Sequence, residues 1–94
     1  MVTVEQAERL AADYLGVMEG SIGIPLQITG RLDASQGWVF FYDSKAHVEF
    51  GDIGSMLAGN APFLIDAEDG SLHVFGTAEP VETYLHEYER FRGQ

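Results

Sequence analysis

Three histidines are the side chains in this sequence best suited to acid–base or metal chemistry: His47, His73 and His86. None of them is spaced as in the short motifs that bring two imidazoles to one metal ion, such as His-Glu-x-x-His. His73 lies in a run of alternating residues, so we expect it to face solvent or the edge of a helix. We interpret all three as surface histidines and predict neither a metal site nor a cofactor.

The acidic run Asp66-Ala67-Glu68-Asp69-Gly70 has some features of a calcium-binding loop. Such a loop needs oxygen ligands at positions 1, 3 and 5, glycine at position 6 and glutamate at position 12. Counting from Asp66 puts Gly70 at position 5 and Thr77 at position 12, so the match fails. Because Asp-Gly lies between two strand-like runs, the sequence predicts a solvated hairpin turn here.

Nucleophilic catalysis has little support in this chain. Ser55 directly follows Gly54, so the segment is not a Gly-x-Ser-x-Gly elbow. The chain contains no cysteine that could pair with a histidine, and it has no phosphate-binding loop. We therefore expect no enzyme activity and no catalytic residues. The enzymatic alternative predicts an activity that is lost when His73 or Asp66 is replaced.

Length and charge restrict the classes of function. The 94 residues, 46% of them hydrophobic, suit one domain spanning residues 1–94. A formal net charge of −10 disfavours nucleic acids and anionic membranes as partners and leaves a basic protein open. No run is long enough to span a membrane and no signal peptide is visible, so we expect a cytoplasmic protein.

The pattern along the chain predicts an α+β domain with the order helix, two strands, loop, two strands, helix. Thr3 and Gln6 have the capping-box spacing at the start of the first helix, predicted over residues 3–18. Pro80 is expected at the first position of the last helix, whose apolar stripe ends with Phe91. Strands are predicted at residues 24–29, 38–42, 62–66 and 71–75. We expect a four-stranded antiparallel sheet with both helices packed on one face.

The stretch from Ala46 to Asn60 is the least regular part of the pattern. Residues 47–50 could continue the sheet by alternation, but glycines then break any period. This segment combines apolar residues with acids, a mixture typical of protein-binding surfaces. It could equally pack on its own sheet. The candidate partner-binding residues here are Glu49, Phe50, Asp52, Ile53 and Met56.

Four blocks of this sequence resemble the immunity protein 35 family, also called YrhB-like domains. The blocks are Gly37-Trp38-Val39-Phe40-Phe41-Tyr42, Leu57-Ala58-Gly59-Asn60-Ala61-Pro62, Asp69-Gly70-Ser71 and Gly76-Thr77-Ala78-Glu79-Pro80. The resemblance covers nearly the whole chain. It implies a small cytosolic bacterial protein, encoded beside a polymorphic toxin, that binds and neutralises the cognate toxin. It implies no catalytic residues, and one family member has been described as chaperone-like.

The resemblance adds Asn60 to the candidate partner-binding residues, because a short amide beside Gly59 could fix the loop or contact a partner. Our leading hypothesis is an inhibitor that covers the active site of a toxin, with Phe50 and Met56 as its buried anchors. The net charge would speed association with a basic toxin. The alternative is a chaperone-like protein that binds unfolded clients. Homo-oligomers through an open sheet edge are also possible.

Overall fold

The two terminal helices and the four strands follow one another in the predicted order, with an unpredicted short helix after the second strand, in a computed structural model that describes residues 1–51 and 61–92. The elements are α1 (Val4–Ile22), β1 (Leu26–Ala34), β2 (Gly37–Ser44), α2 (Lys45–Phe50), β3 (Phe63–Asp66), β4 (Leu72–Val74) and α3 (Val81–Arg92). The predicted α+β class and the four-stranded antiparallel sheet are confirmed. No helix in the described ranges combines the length and the apolar character needed to cross a bilayer.

The first helix begins as its sequence predicts and ends later. The Thr3 hydroxyl accepts a hydrogen bond from the Gln6 N–H, and the Gln6 side chain accepts one from the Thr3 N–H, which completes the capping box. The helix continues to Ile22 and closes at Gly23, which has a φ of 77° and donates its N–H to Glu19. Gly20 therefore lies inside the helix, past its predicted end at residue 18, because packing of the apolar stripe outweighs the cost of about 1 kcal/mol for an interior glycine.

The sheet is a meander in which each strand pairs with its neighbours in sequence, in the order β1-β2-β3-β4. Strand β1 carries an irregularity between Ile28 and Gly30 in its pairing with β2. Strands β1 and β2 are joined by a tight turn that closes at Gly37. A Cβ atom at Gly37 would lie 2.1 Å from the Ile65 carbonyl oxygen, so only glycine allows β3 to approach so closely. This contact accounts for the first glycine of the Gly37–Tyr42 block.

Both faces of the sheet are covered, one by each terminal helix. We call the face that contacts α1 side α and the face that contacts α3 side β. Counting the residues of the covering helix, side α has eight buried residues and side β has four. The buried residues of side α are Ala7, Ala11, Leu15, Leu26, Phe40, Tyr42, Phe63 and Ile65. Those of side β are Val39, Leu64, Phe75 and Leu85. The predicted packing of both helices on one face is therefore wrong. Strands β2 and β3 are apolar at consecutive positions, and since side chains alternate, both faces need a cover.

Two local predictions also fail. Residues 47–50 do not extend the sheet, because the Ser44 hydroxyl accepts a hydrogen bond from the His47 N–H and caps the short helix α2. Gly51, with a φ of 66°, ends that helix.

Phe91 was predicted to lie on the buried stripe of the last helix, but it is 75% exposed.

Candidate interaction surfaces

The predicted partner-binding residues begin on α2. Glu49 is exposed there, and Phe50 is the last residue of the helix. The remaining candidates, Asp52, Ile53, Met56 and Asn60, lie outside the described residues. The structure thus locates the start of the predicted surface and leaves the rest of it a prediction.

Helix α2 lies where β1 begins and β2 ends. The Lys45 N–H donates to the Pro25 carbonyl (3.0 Å), which ties the start of the helix to the residue before β1. Val48 is 39% exposed and Ile24 is 38% exposed at this end of the sheet. Glu49 therefore stands on a short capped helix beside accessible apolar side chains, an arrangement typical of the rim of a protein interface.

A polar cluster links the β3–β4 turn to α3. The Tyr88 hydroxyl donates a hydrogen bond to Asp66 Oδ2 (2.5 Å) and lies 3.1 Å from His73 Nε2. His73 Nε2 is also 2.7 Å from the Ser71 hydroxyl. Asp66 is 2% exposed and accepts a further hydrogen bond from the Glu68 N–H. The cluster therefore combines a buried carboxylate with an imidazole and two hydroxyl groups.

The geometry of this cluster suits a structural link better than catalysis. A serine–histidine pair needs a group at Nδ1 that orients the imidazole, and within residues 1–51 and 61–92 His73 forms hydrogen bonds through Nε2 alone. The carboxylate of Asp66 is enclosed by the turn and by Tyr88. The His73 and Tyr88 rings also pack together, with centroids 4.6 Å apart. The cluster therefore attaches α3 to the hairpin.

The sequence pattern does not reveal this cluster, because its members fit separate roles. By its spacing Tyr88 fits the apolar stripe of the last helix, and Asp66 begins the run that predicts a solvated turn. His73 does lie at the edge of a helix, one of its two expected positions. An acidic residue that ends an apolar strand was the available signal for Asp66, because its side chain must then be paired.

Negative charge is distributed over both outer sides of the molecule. Glu5, Glu8 and Asp13 are exposed on α1, which covers side α, and Glu82, Glu87 and Glu89 are exposed on α3, which covers side β. In the turn, the Ser71 hydroxyl and N–H lower the pKa of Asp69 below its ordinary value. A basic partner would consequently be attracted to more than one side of the molecule.

Two shallow grooves border α1, both open to solvent. One of about 330 Å³ lies between the start of α1 and the β3–β4 turn, where Arg9, Leu10 and Asp69 line it. The other, of about 450 Å³, lies between α1 and β1, where Glu8, Ile28 and Arg31 line it. Among the described residues, no group of three or more His, Asp or Glu side chains is placed to hold a metal ion.

The Gly76–Pro80 block has a structural explanation. A Cβ atom at Gly76 would lie 2.5 Å from the Tyr84 hydroxyl oxygen, so glycine makes room for that ring. The Tyr84 ring stacks on Phe75 with centroids 5.6 Å apart, and its hydroxyl accepts a hydrogen bond from the Glu79 N–H. The block therefore positions the start of α3 and does not by itself form a binding site.

Comparison with known proteins places these features in a family. The model of the family described as Immunity protein 35 matches residues 5–90. The chain is also 40% identical over 89 residues to YrhB of Escherichia coli (strain K12), which is described as uncharacterized. That alignment covers 95% of this chain and 90% of YrhB. No solved structure gave a significant match. The chain belongs to the immunity protein 35 family.

Proposed function

We propose that this protein is an immunity protein that binds one cognate polymorphic toxin and neutralises it by covering the toxin's active site. The observation that carries the proposal is the match of residues 5–90 to the Immunity protein 35 family. The match includes every described helix and strand and leaves out only the first residue of α1 and the last two residues of α3, so it concerns the whole fold. The protein would act in the cytoplasm, where its toxin would otherwise poison the producing cell.

The toxin-binding surface that we propose is formed by α2 and the segment that follows it. Its support is the exposure of Glu49 and Val48 on a helix capped at both ends, which holds these side chains in fixed positions. Phe50 and Met56 are the proposed apolar anchors. Asp52, Ile53 and Asn60 complete the proposed contact set, with the acidic residue at the polar rim.

Electrostatic attraction supplies the proposed speed of binding. The net charge is −10, and exposed acids lie on both outer sides of the fold. An approaching basic toxin would be attracted from many directions, and its final orientation would depend on the α2 surface. The association rate should therefore fall steeply as salt increases, while the dissociation rate should change little.

The decisive experiment is co-expression with the toxin encoded by the neighbouring gene. We expect protected cells and a purified complex of equal stoichiometry. Glu49→Lys should weaken binding, whereas Glu87→Lys, an identical charge change on exposed α3, should leave it near the wild-type value. Loss of binding in both variants to the same extent would indicate a general charge effect and contradict the proposed surface. A toxin that is neither bound nor inhibited would contradict the function.

Stoichiometry separates inhibition by binding from an enzymatic defence. An inhibitor that covers an active site must be present in at least molar equivalence, whereas an enzyme would inactivate many toxin molecules per copy. We expect residual toxin activity to fall linearly with added protein and to reach zero at one equivalent. His73→Ala should protect as well as the wild type. Full protection at a small fraction of one equivalent would refute the binding mechanism.

A chaperone-like activity is distinguished by its clients. An immunity protein should recognise the folded toxin and ignore unrelated unfolded proteins. We therefore expect no change in the thermal aggregation of proteins from outside the toxin system. Suppression of that aggregation at equimolar concentration, combined with failure to bind the toxin, would favour the chaperone-like alternative.

A further inference from the structure

Strand β1 forms one edge of the sheet and is its longest strand. It has nine residues and pairs with β2 on one side. Within residues 1–51 and 61–92, no strand pairs with its other side. The opposite edge is different, because β4 has three residues and its His73 is covered by Tyr88 of α3. Strand β1 is therefore the edge with room for another strand.

The hydrogen bonding of the sheet determines which residues of β1 direct their backbone N–H and C=O groups toward β2 and which direct them toward the open edge. The Ala67 N–H donates to the Gln36 carbonyl (3.0 Å), so the even-numbered residues at this end of β2 direct their backbone groups toward β3. The odd-numbered residues, Val39 and Phe41, consequently direct theirs toward β1.

The partners of those odd-numbered residues in β1 are Leu32 and Gly30. These two residues direct their backbone groups back toward β2. The residues between and beyond them, Arg31 and Asp33, therefore direct their N–H and C=O groups away from the sheet. They carry the outward hydrogen-bonding groups of this edge.

The side chains of the same residues form a self-complementary set. The segment Gly30-Arg31-Leu32-Asp33-Ala34 reads small, positive, apolar, negative, small. Arg31 uses Nε for Asp33 and Nη1 for Glu8, each at 2.8 Å. Among the described residues, neither Nη2 of Arg31 nor Oδ2 of Asp33 has a hydrogen-bond partner. Leu32 is 37% exposed.

We propose that two copies of this chain pair through β1 in antiparallel orientation, with Leu32 of each copy opposite Leu32 of the other. Arg31 of each copy then lies opposite Asp33 of the second copy, and each such pair exchanges two backbone hydrogen bonds. The free Nη2 of Arg31 faces the free carboxylate oxygen of the second copy's Asp33. The two sheets become one continuous sheet with a twofold axis between the leucines.

Charge and backbone direction together select this register. Pairing Arg31 with Arg31, or Asp33 with Asp33, would also join outward residues but would place like charges opposite each other, which is destabilising. The groove between α1 and β1 borders the edge and leaves space beside Ile28 and Glu8 for the second copy. The irregularity between Ile28 and Gly30 limits the regular pairing to residues 30–34.

Sedimentation equilibrium combined with charge reversal tests this proposal. We expect the wild-type mass to rise with concentration from 10.3 kDa toward twice that value. R31D and D33R should each weaken the dimer by at least about tenfold, because two like-charge pairs replace two attractive ones. The double variant R31D/D33R restores opposite charges across the interface and should recover most of the affinity.

Matched controls locate the interface. L32K places two ammonium groups on the twofold axis and should give a monomer, whereas V74K on the other edge should dimerise as the wild type does, since Val74 is 57% exposed on β4. Circular dichroism confirms that each variant is folded. In the wild type, the amides of Arg31 and Asp33 should exchange hydrogen more slowly as concentration rises.

Two outcomes would overturn the proposal. One is a wild-type protein that remains a monomer at about 1 mM, the weak end of measurable association. The other is a dimer that R31D, D33R and L32K leave unchanged while the amides of Arg31 and Asp33 stay unprotected. The proposal is independent of toxin binding, because immunity measured with monomeric variants is a separate readout.

Discussion

The two sides of the sheet are stabilised differently. On side α, Phe63 is fully buried and contacts three aromatic rings, those of Tyr14, Phe40 and Tyr42. On side β, the smaller apolar cluster is supplemented by hydrogen bonds to α3. One runs from Tyr88 to Asp66, and another runs from the Gln36 side chain to the Leu85 carbonyl (3.3 Å).

This difference implies that the two helices have different local stabilities. Helix α1 has 19 residues, a complete capping box and the larger core beneath it. Helix α3 has 12 residues, and among its described side chains Leu85 is the one that belongs to the buried core. We therefore expect α3 to open first under mild denaturant, because fewer apolar contacts oppose its release.

Phe63→Ala should cause the largest loss, about 3–5 kcal/mol in the free energy of unfolding, because it removes the ring at the centre of side α. Phe75→Ala on side β should lower the free energy of unfolding by closer to about 3 kcal/mol, since within the described residues its ring stacks on one other ring, that of Tyr84. Urea unfolding followed by circular dichroism measures both values. Equal losses in the free energy of unfolding for the two variants would show that the two sides stabilise the fold equally, and would contradict the difference described above.

Tyr88→Phe should cost about 1–3 kcal/mol, because the buried Asp66 carboxylate loses a hydrogen-bond donor while the ring is kept. Tyr84→Phe is the matched control on the same helix. Its hydroxyl bonds to the exposed Glu79 N–H, so its loss should cost below about 1 kcal/mol. Hydrogen exchange should show faster opening of α3 and unchanged α1 in Tyr88→Phe. An equal acceleration in both helices would mean that α3 does not open separately.

Asp69 should produce the smallest effect, and it depends on pH. Hydrogen bonds from Ser71 lower the pKa of Asp69 in the folded protein below the ordinary value of 3.8. Its stabilising contribution is therefore present above the ordinary pKa and is lost as the pH falls through the lower folded value. Asp69→Asn should therefore lower Tm slightly near pH 7, and its difference from the wild type should disappear below the folded pKa, where Asp69 is itself uncharged. A parallel shift at every pH would rule out this linkage.

The sequence predicts the limits of helices and turns where a side chain or a special residue determines the conformation of the backbone next to it. The capping box at Thr3 and the Asp-Gly turn at Gly70 lie where the sequence predicts them. Pro80, predicted as the first residue of the last helix, directly precedes α3, which begins at Val81. The positions of the two terminal helices relative to the sheet could not be obtained in this way. Their placement depends on which face of β2 each stripe covers, and only the apolar run 38–42 indicated that both faces are covered.

The candidate surface was predictable only in outline. Glu49 was expected to be accessible, and it is exposed, but the helical conformation of residues 45–50 was missed. The relevant signal was Ser44, an N-cap residue that was overlooked because the following residues alternate like a strand. The Asp66–Tyr88 link was inaccessible to sequence reasoning, since it joins residues 22 positions apart through packing of α3.

The meander order of the strands has a consequence for how quickly the chain folds. Every strand pairs with a sequence neighbour, and β1 and β2 are joined by a two-residue turn, so little loop-closure entropy opposes the first pairing. The β1–β2 hairpin can form while the rest of the chain is still leaving the ribosome. A newly synthesised copy would therefore present its outer β1 edge before α3 has been made, and partner selection at that edge could begin during translation.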